Sequence, residues 1–139
     1  AVIGSALAHT ASGNRALALS LGRAGCCPNA RQPRVLWVGV AGDLEALAHL
    51  QAAVEQAVSP LGFPSDARRF APHLTLGRVR DDASPDARRR LGEALQRLSV
   101  PALAFTVASV SLMRSDLRPD GPIYTRLAEV ALLHTDRHM

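Results

Sequence analysis

Phe70-Ala71-Pro72-His73-Leu74-Thr75-Leu76-Gly77-Arg78 is the stretch on which the reading of this chain turns. From His73 onward apolar residues recur at every second position, the period of a β-strand with one face in the core. On such a strand His73, Thr75, Gly77 and Val79 share one face. Leu74 and Leu76 share the other and are expected to anchor the strand. An imidazole, with an ordinary pKa of about 6.5, then stands beside a hydroxyl able to hold an oxygen. Gly77 is expected to let a ligand approach the backbone. A single histidine on a strand face is more often a hydrogen-bonded structural residue than a catalyst, so the tripeptide alone leaves both readings open.

Upstream, residues 1–9 read as the end of a helix broken by Ser12-Gly13-Asn14, and Leu17, Leu19 and Leu21 read as a strand. Gly22 to Pro33 reads as a loop because it holds Gly25, Pro28 and Asn29. Residues 34–40 are apolar and β-branched enough for a central strand covered on both faces. Asp43 is placed as the N-cap of a helix with Leu44, Leu47, Leu50, Val54 and Val58 as its buried stripe, ending at Pro60 and Gly62. Downstream, Ser84-Pro85 opens a second helix with Leu91, Leu95 and Leu98 on one face. Residues 104–113 read as one long strand, Asp120-Gly121-Pro122 as a turn, residues 123–132 as a closing strand and residues 133–139 as a frayed tail. Helices between strands, with the last two strands joined by a short turn, predict a single α+β domain over residues 1–139 with a largely antiparallel sheet.

Hydrophobic residues make up 47% of the chain but aromatics only 4%, so Leu, Val and Ala must build the core. No apolar run reaches the ~18 residues of a membrane span. The first residues lack a basic leader, so no signal peptide is expected. The net charge is +4 and every one of the basic residues is Arg. This fits a phosphate- or RNA-binding surface, or simply the composition of a GC-rich genome. Cys26 and Cys27 are neighbours with no second pair at zinc spacing, and read as structural thiols of a reducing cytoplasm. Trp37, the sole tryptophan, reads as core or as a base-stacking platform. Arg114 reads as a phosphate contact or a hairpin residue. Arg68-Arg69 and Arg88-Arg89-Arg90 read as solvated faces with weak RNA attraction.

In its longer context the His73 stretch resembles the second signature of the two-histidine (2H) phosphoesterases. The branch it resembles is that of the RNA 2′,3′-cyclic phosphodiesterases or 2′-5′ RNA ligases (LigT-like proteins). Pro28-Asn29 with Pro33-Arg34-Val35-Leu36-Trp37 is similar to the family's middle strand pair, and Leu61-Gly62-Phe63 to its helix exit. Met113-Arg114-Ser115-Asp116-Leu117 with Gly121-Pro122-Ile123-Tyr124 is similar to its C-terminal hairpin, so the resemblance spans residues 15–132. It implies a bilobal α+β fold of mostly antiparallel sheets with flanking helices, each half supplying one His-x-Thr pair to a cleft. It further implies His73 as proton acceptor and Thr75 as its phosphate-holding partner, with Arg78 near the substrate; Phe70 and Tyr124, like Trp37, read as core or as substrate-binding residues. Neither a metal nor a cofactor is implied. The implied partners are RNA ends or small cyclic nucleotides. By simple alternation Arg78, five positions after His73, points to the opposite face, so a plain surface role stays open for it.

The family also has a strand, a helix and a first His-x-Thr strand ahead of the region matching residue 1. Among the five histidines of this sequence only His73 is followed two positions later by Thr or Ser. The expectation is that these N-terminal elements are missing from the sequence. The second histidine would then come from a longer chain or from a partner chain meeting an exposed sheet edge in an oligomer. Acid–base help from one residue is worth about 10²–10⁴-fold, so half a site is a severe loss. Three functions follow for testing: a metal-independent RNA 2′,3′-cyclic phosphodiesterase with reversible 2′-5′ ligation, a non-catalytic RNA- or nucleotide-binding half domain, and a structural oligomer-forming domain.

Overall fold

The computed structural model describes residues 1–134, and residues 135–139 of the expected tail lie outside it. The chain falls into two units, each assembled from separated segments. The first takes Ala1–Leu17, Glu45–Arg69 and the chain from Thr106 on; the second takes Ala18–Leu44 and Phe70–Phe105.

In the first unit α1 (Val2–Ser12) runs to Gly13 and packs on the hairpin of β5 (Ser109–Arg118) and β6 (Gly121–Ala131). Gly121, at φ +119, follows the turn that joins the two strands. The expected strand over residues 104–113 is two: β4 (Ala104–Val107) belongs to one sheet and β5 to another, parted at Ala108, whose carbonyl accepts from Leu132 N–H. α2 (Leu44–Val58) has Leu50 buried and Leu47, Val54 and Val58 half-buried, whereas Leu44 is exposed. It passes into a 3₁₀ turn at Ser59–Leu61 and stops at Gly62, which takes the left-handed conformation that favours glycine. Leu133, expected to fray, is held by backbone bonds to Asn14 and Ala16 on either side of Arg15. Leu7, Ala11, Leu17, Leu50 and Leu132 are the buried hydrophobic residues of this unit.

The second unit holds a four-stranded sheet in the order β3-β2-β1-β4, with β1 at Leu17–Cys27, β2 at Val35–Gly42 and β3 at His73–Arg78. β2 runs antiparallel to both β1 and β3. β1 is longer than expected, because residues read as loop continue the strand as far as Cys27. The glycines there serve close approach: a Cβ on Gly22 would lie 3.2 Å from the Gly39 backbone. β2 is inner in the sheet, but only Val38 is fully buried, so the strand expected to be covered on both faces is half-covered. Asp43 accepts from Ala18 N–H through its carboxylate at 3.1 Å and ties the end of β2 to β1. α3 (Pro85–Arg97) starts as predicted, with Ser84 Oγ accepting from Ala87 N–H and Pro85 in the first turn. Its Leu95 is buried, its Leu98 neighbour is exposed, and Gly92 lies against the Ala30 carbonyl with no room for a side chain.

Leu74 and Leu76 are 49% and 57% exposed, which overturns their expected role as core anchors. β3 is the edge strand of its sheet, and the two leucines stand partly exposed on it rather than buried in a core. None of the described helices is long and apolar enough to cross a membrane.

Candidate active site

Three cross-strand rows of the second unit's sheet build the site. Cys27 pairs with Val35 and Val35 with Arg78; Gly25 pairs with Trp37 and Trp37 with Thr75; Gly39 pairs with His73. The register between β2 and β3 slips by one residue between Thr75 and Gly77, leaving Leu76 as the extra residue of a bulge. Alternation restarts after a bulge, so residue parity flips. Arg78, which plain alternation sends to the opposite face, therefore returns to the face of Thr75. Gly77 goes to the other face with Leu36 and plays no part in ligand approach. Gly77 marks the bulge, the other meaning a strand glycine can have.

Cys27, Val35, Trp37, Pro72, His73, Thr75 and Arg78 thus line one cavity of about 380 Å³. Its floor is the Trp37 indole, which lies across β1 at Gly25: a Cβ there would stand 2.7 Å from Cζ3 of the ring and closer still to Cη2 and Cζ2. The indole and the His73 imidazole have centroids 6.1 Å apart, tilted by 57°. Trp37 is half-buried and serves as the floor of the site rather than as core.

The orientation of His73 follows from its own backbone. Nδ1 lies 2.7 Å from the Ala71 carbonyl oxygen. A carbonyl only accepts, so in the neutral imidazole Nδ1 carries the proton and Nε2 is left as the acceptor. Pro72 between the two residues fixes the chain that makes this bond. The Thr75 hydroxyl and the Arg78 guanidinium make no hydrogen bond or ion pair among the described residues, so both stand uncommitted on the cavity wall. A proton acceptor, a hydroxyl and a forked cation around an aromatic floor make a setting for a phosphate group on a nucleoside.

The other sequence candidates fall elsewhere. Phe70 stands ahead of β3, 40% exposed, outside the cavity wall. Tyr124 is 64% exposed on β6 in the first unit, opposite Ser115. Arg114 pairs with Asp116 on β5. The arginine runs are largely committed. Arg68 pairs with Asp66 and holds that carboxyl down at about 2. Arg89 and Arg90 pair with Asp86 and lower its pKa. Arg88 donates to the carbonyls of Pro33, Arg80, Asp81 and Ala83, which makes it a clamp joining α3 to the ends of β2 and β3. Burial, with the neighbouring Cys27 charge adding, pushes the Cys26 thiol up. Sequence reasoning missed Gly25 and Cys27 as parts of the site; the signal for Gly25 was its place opposite the sole tryptophan once β1 is allowed to continue.

The chain belongs to the 2′-5′ RNA ligase superfamily, whose sequence model matches residues 1–119. It is 38% identical over 116 residues to the RNA 2′,3′-cyclic phosphodiesterase of Methanothermobacter thermautotrophicus, covering 84% of this chain and 61% of that protein. It is 33% identical over 113 residues to the protein of the same name from Aeropyrum pernix, covering 81% and 63%. The chain therefore spans about three-fifths of the length of these relatives. The crystal structure of TT0787 of Thermus thermophilus superposes with a TM-score of 0.69 at 25% identity, over 92% of this chain and 67% of that one. That of Escherichia coli LigT complexed with 3′-AMP shares the fold at a TM-score of 0.62 and 22% identity, over 95% and 70%.

Proposed function

We propose that His73, Thr75 and Arg78 form one half of the active centre of a metal-independent RNA 2′,3′-cyclic phosphodiesterase. Water attacks the phosphorus of the cyclic ester and its proton passes to Nε2 of His73. The bond from phosphorus to the ribose 3′ oxygen breaks, and that oxygen takes a proton from a second acid. The product carries a 2′-phosphate and a free 3′-hydroxyl. Thr75 and Arg78 hold the non-bridging oxygens, where charge grows as the bond to water forms. Attack by the 5′-hydroxyl of a second RNA end in place of water, with the same loss of the 3′ oxygen, gives 2′-5′ ligation at the same site, and attack of the freed 3′-hydroxyl on that diester reverses it. What carries this reading is the His73 bond to the Ala71 carbonyl, which leaves Nε2 as a proton acceptor in a cavity shared with an uncommitted hydroxyl and guanidinium. The names of the relatives point to the same reaction.

The test is hydrolysis of a short RNA ending in a 2′,3′-cyclic phosphate, with chelator present, by the protein and its His73→Ala variant. The expected result is turnover in chelator that falls by about 10²-fold or more in the variant. Turnover untouched by His73→Ala overturns the assignment. The same assay separates this from a second reading, a non-catalytic RNA-binding half domain. That reading predicts RNA binding sensitive to Thr75→Val without any turnover.

A further inference from the structure

We propose that the site extends past its Cys27–Val35 wall into a second phosphate subsite built on Arg34, so that its substrate is an RNA end of at least two nucleotides rather than a mononucleoside cyclic phosphate. The inference rests on the phosphodiesterase reading of the first cavity. A second concavity of about 450 Å³, lined by Cys27, Pro28, Gln32, Arg34 and Val35, adjoins the first and shares Cys27 and Val35 with it. Those two residues are a cross-strand pair, and Val35 also pairs with Arg78. One row of side chains therefore separates the two spaces. Arg78 belongs to the first and Arg34, next to Val35 in the chain, to the second.

The second space is firmly built. Arg34 N–H donates to the Cys27 carbonyl at 2.7 Å, and its own carbonyl accepts from Val79 N–H at 2.8 Å, which fixes its backbone to both neighbouring strands. Asn29 Oδ1 accepts from the N–H groups of Arg31 and Gln32 at 3.0 and 3.1 Å and orders the loop. Pro33 is fully buried, and the Arg88 guanidinium bonds its carbonyl at 3.2 Å. The Gln32 amide nitrogen reaches the Pro85 carbonyl at 3.4 Å, which leaves its oxygen as a free acceptor. On this rigid base the Arg34 guanidinium has no ion pair among the described residues, unlike Arg68, Arg89, Arg90, Arg114 and Arg126.

A nucleoside cyclic phosphate offers one phosphate, and Thr75 with Arg78 takes it. The next anion along an RNA strand is the diester to the preceding nucleotide, and Arg34 is the uncommitted cation beyond the shared wall. A guanidinium with a fixed root suits such a group, because little freedom is lost when it engages.

Binding of a diadenylate ending in a 2′-phosphate and of adenosine 2′-monophosphate, read by emission of the sole tryptophan in the cavity floor, tests this. The dinucleotide should bind roughly tenfold or more tightly, the worth of a charge-assisted hydrogen bond. Arg34→Gln should weaken the dinucleotide several-fold more than the mononucleotide. It should also lower the salt slope for the dinucleotide by about 0.7, one phosphate contact on a single strand. Equal affinities for the two ligands, or equal losses in the variant, overturn the subsite while the first cavity stands. If neither ligand binds the folded protein, the phosphodiesterase reading of the cavity falls and takes the subsite with it.

Discussion

Gly25→Ala is the sharpest probe of how the sheet sets the site. The perturbation adds one methyl on β1, remote from any reacting atom. The new Cβ would stand 2.7 Å from Cζ3 of Trp37 and nearer to Cη2 and Cζ2. Carbon atoms rest about 3.5–4.0 Å apart, so the ring must retreat by roughly 1 Å. The indole is rigid and its strand is held between β1 and β3, so the retreat has to tilt the ring toward the His73 side of the cavity or push the strands apart. Overpacking of this kind costs about 1–3 kcal/mol. A displacement near 1 Å at a proton-transferring group costs on the order of 10²-fold in rate.

Two assays separate these effects. Urea unfolding reads the stability loss, and the steady-state emission of the protein reports Trp37 alone because no other tryptophan exists. Turnover of the cyclic-phosphate RNA then reads the effect on His73. Expected are a shifted emission maximum, a lower unfolding midpoint and a fall in kcat larger than the change in KM. In a Trp37→Leu background the methyl has nothing to strike, so the stability cost of Gly25→Ala should largely vanish, giving a coupling energy of about 1 kcal/mol or more. A Gly25→Ala protein with unchanged emission, midpoint and turnover would refute the claim that the indole is seated by the missing side chain.

Thr75→Val keeps the β-branched shape and removes the hydroxyl, so it should leave the unfolding midpoint within the usual surface range. It should weaken phosphate binding by roughly tenfold or more, measured with the same dinucleotide. Arg88→Met keeps the stem but strips the donors from four carbonyls, and should lower stability by about 2–3 kcal/mol in urea; a loss below about 0.5 would dissolve the clamp. The Asp86 carboxyl is lowered by Arg89 and then Arg90, so its share of stability is present above the ordinary carboxylate range and is lost as pH falls through its lowered native value. That share is modest because the group is exposed, and an acid titration of Asp86→Asn should show a flatter fall than the parent below about pH 4.

The sequence made the elements legible where capping and periodicity agree. Ser84-Pro85 sets the start of α3 as expected, and Gly62 sets the stop after α2. It misled where one residue type has two meanings. Gly25 read as a loop glycine because glycine punctuates loops far more often than it makes room for an indole. Gly77 read as an opening for ligand, whereas it flanks a bulge. Leu74 and Leu76 read as buried because their spacing is that of a core face, and periodicity cannot say whether a layer is present to cover that face. Each error is one of partner, not of local propensity, since β1, β2 and β3 pair residues far apart in the chain.

The bulge also bears on what the charge of this chain is for. A net charge of +4 borne by arginine alone says little, since most of the guanidinium groups on α3, on the 66–68 turn and on the hairpin are matched by carboxylates or consumed by backbone carbonyls. What distinguishes Arg78 is not the overall field but one extra residue, Leu76, which turns its side chain to the face that already holds His73 and Thr75. Deleting Leu76 makes the point testable. With that residue gone, Thr75, Gly77 and Arg78 follow one another in plain alternation. Arg78 then lies two positions after Thr75, keeps Val35 as its partner and stays on the cavity face. Phosphate affinity of the deletion protein should therefore stay within a few-fold of the parent. Arg78→Gln should weaken the dinucleotide equally in the two backgrounds, by roughly tenfold or more. Were the strand unbulged, the deletion would flip every side chain after Thr75, and Arg78→Gln would cost unequal amounts in the two proteins. Unequal costs in folded protein therefore remove the bulge as the device that seats the arginine.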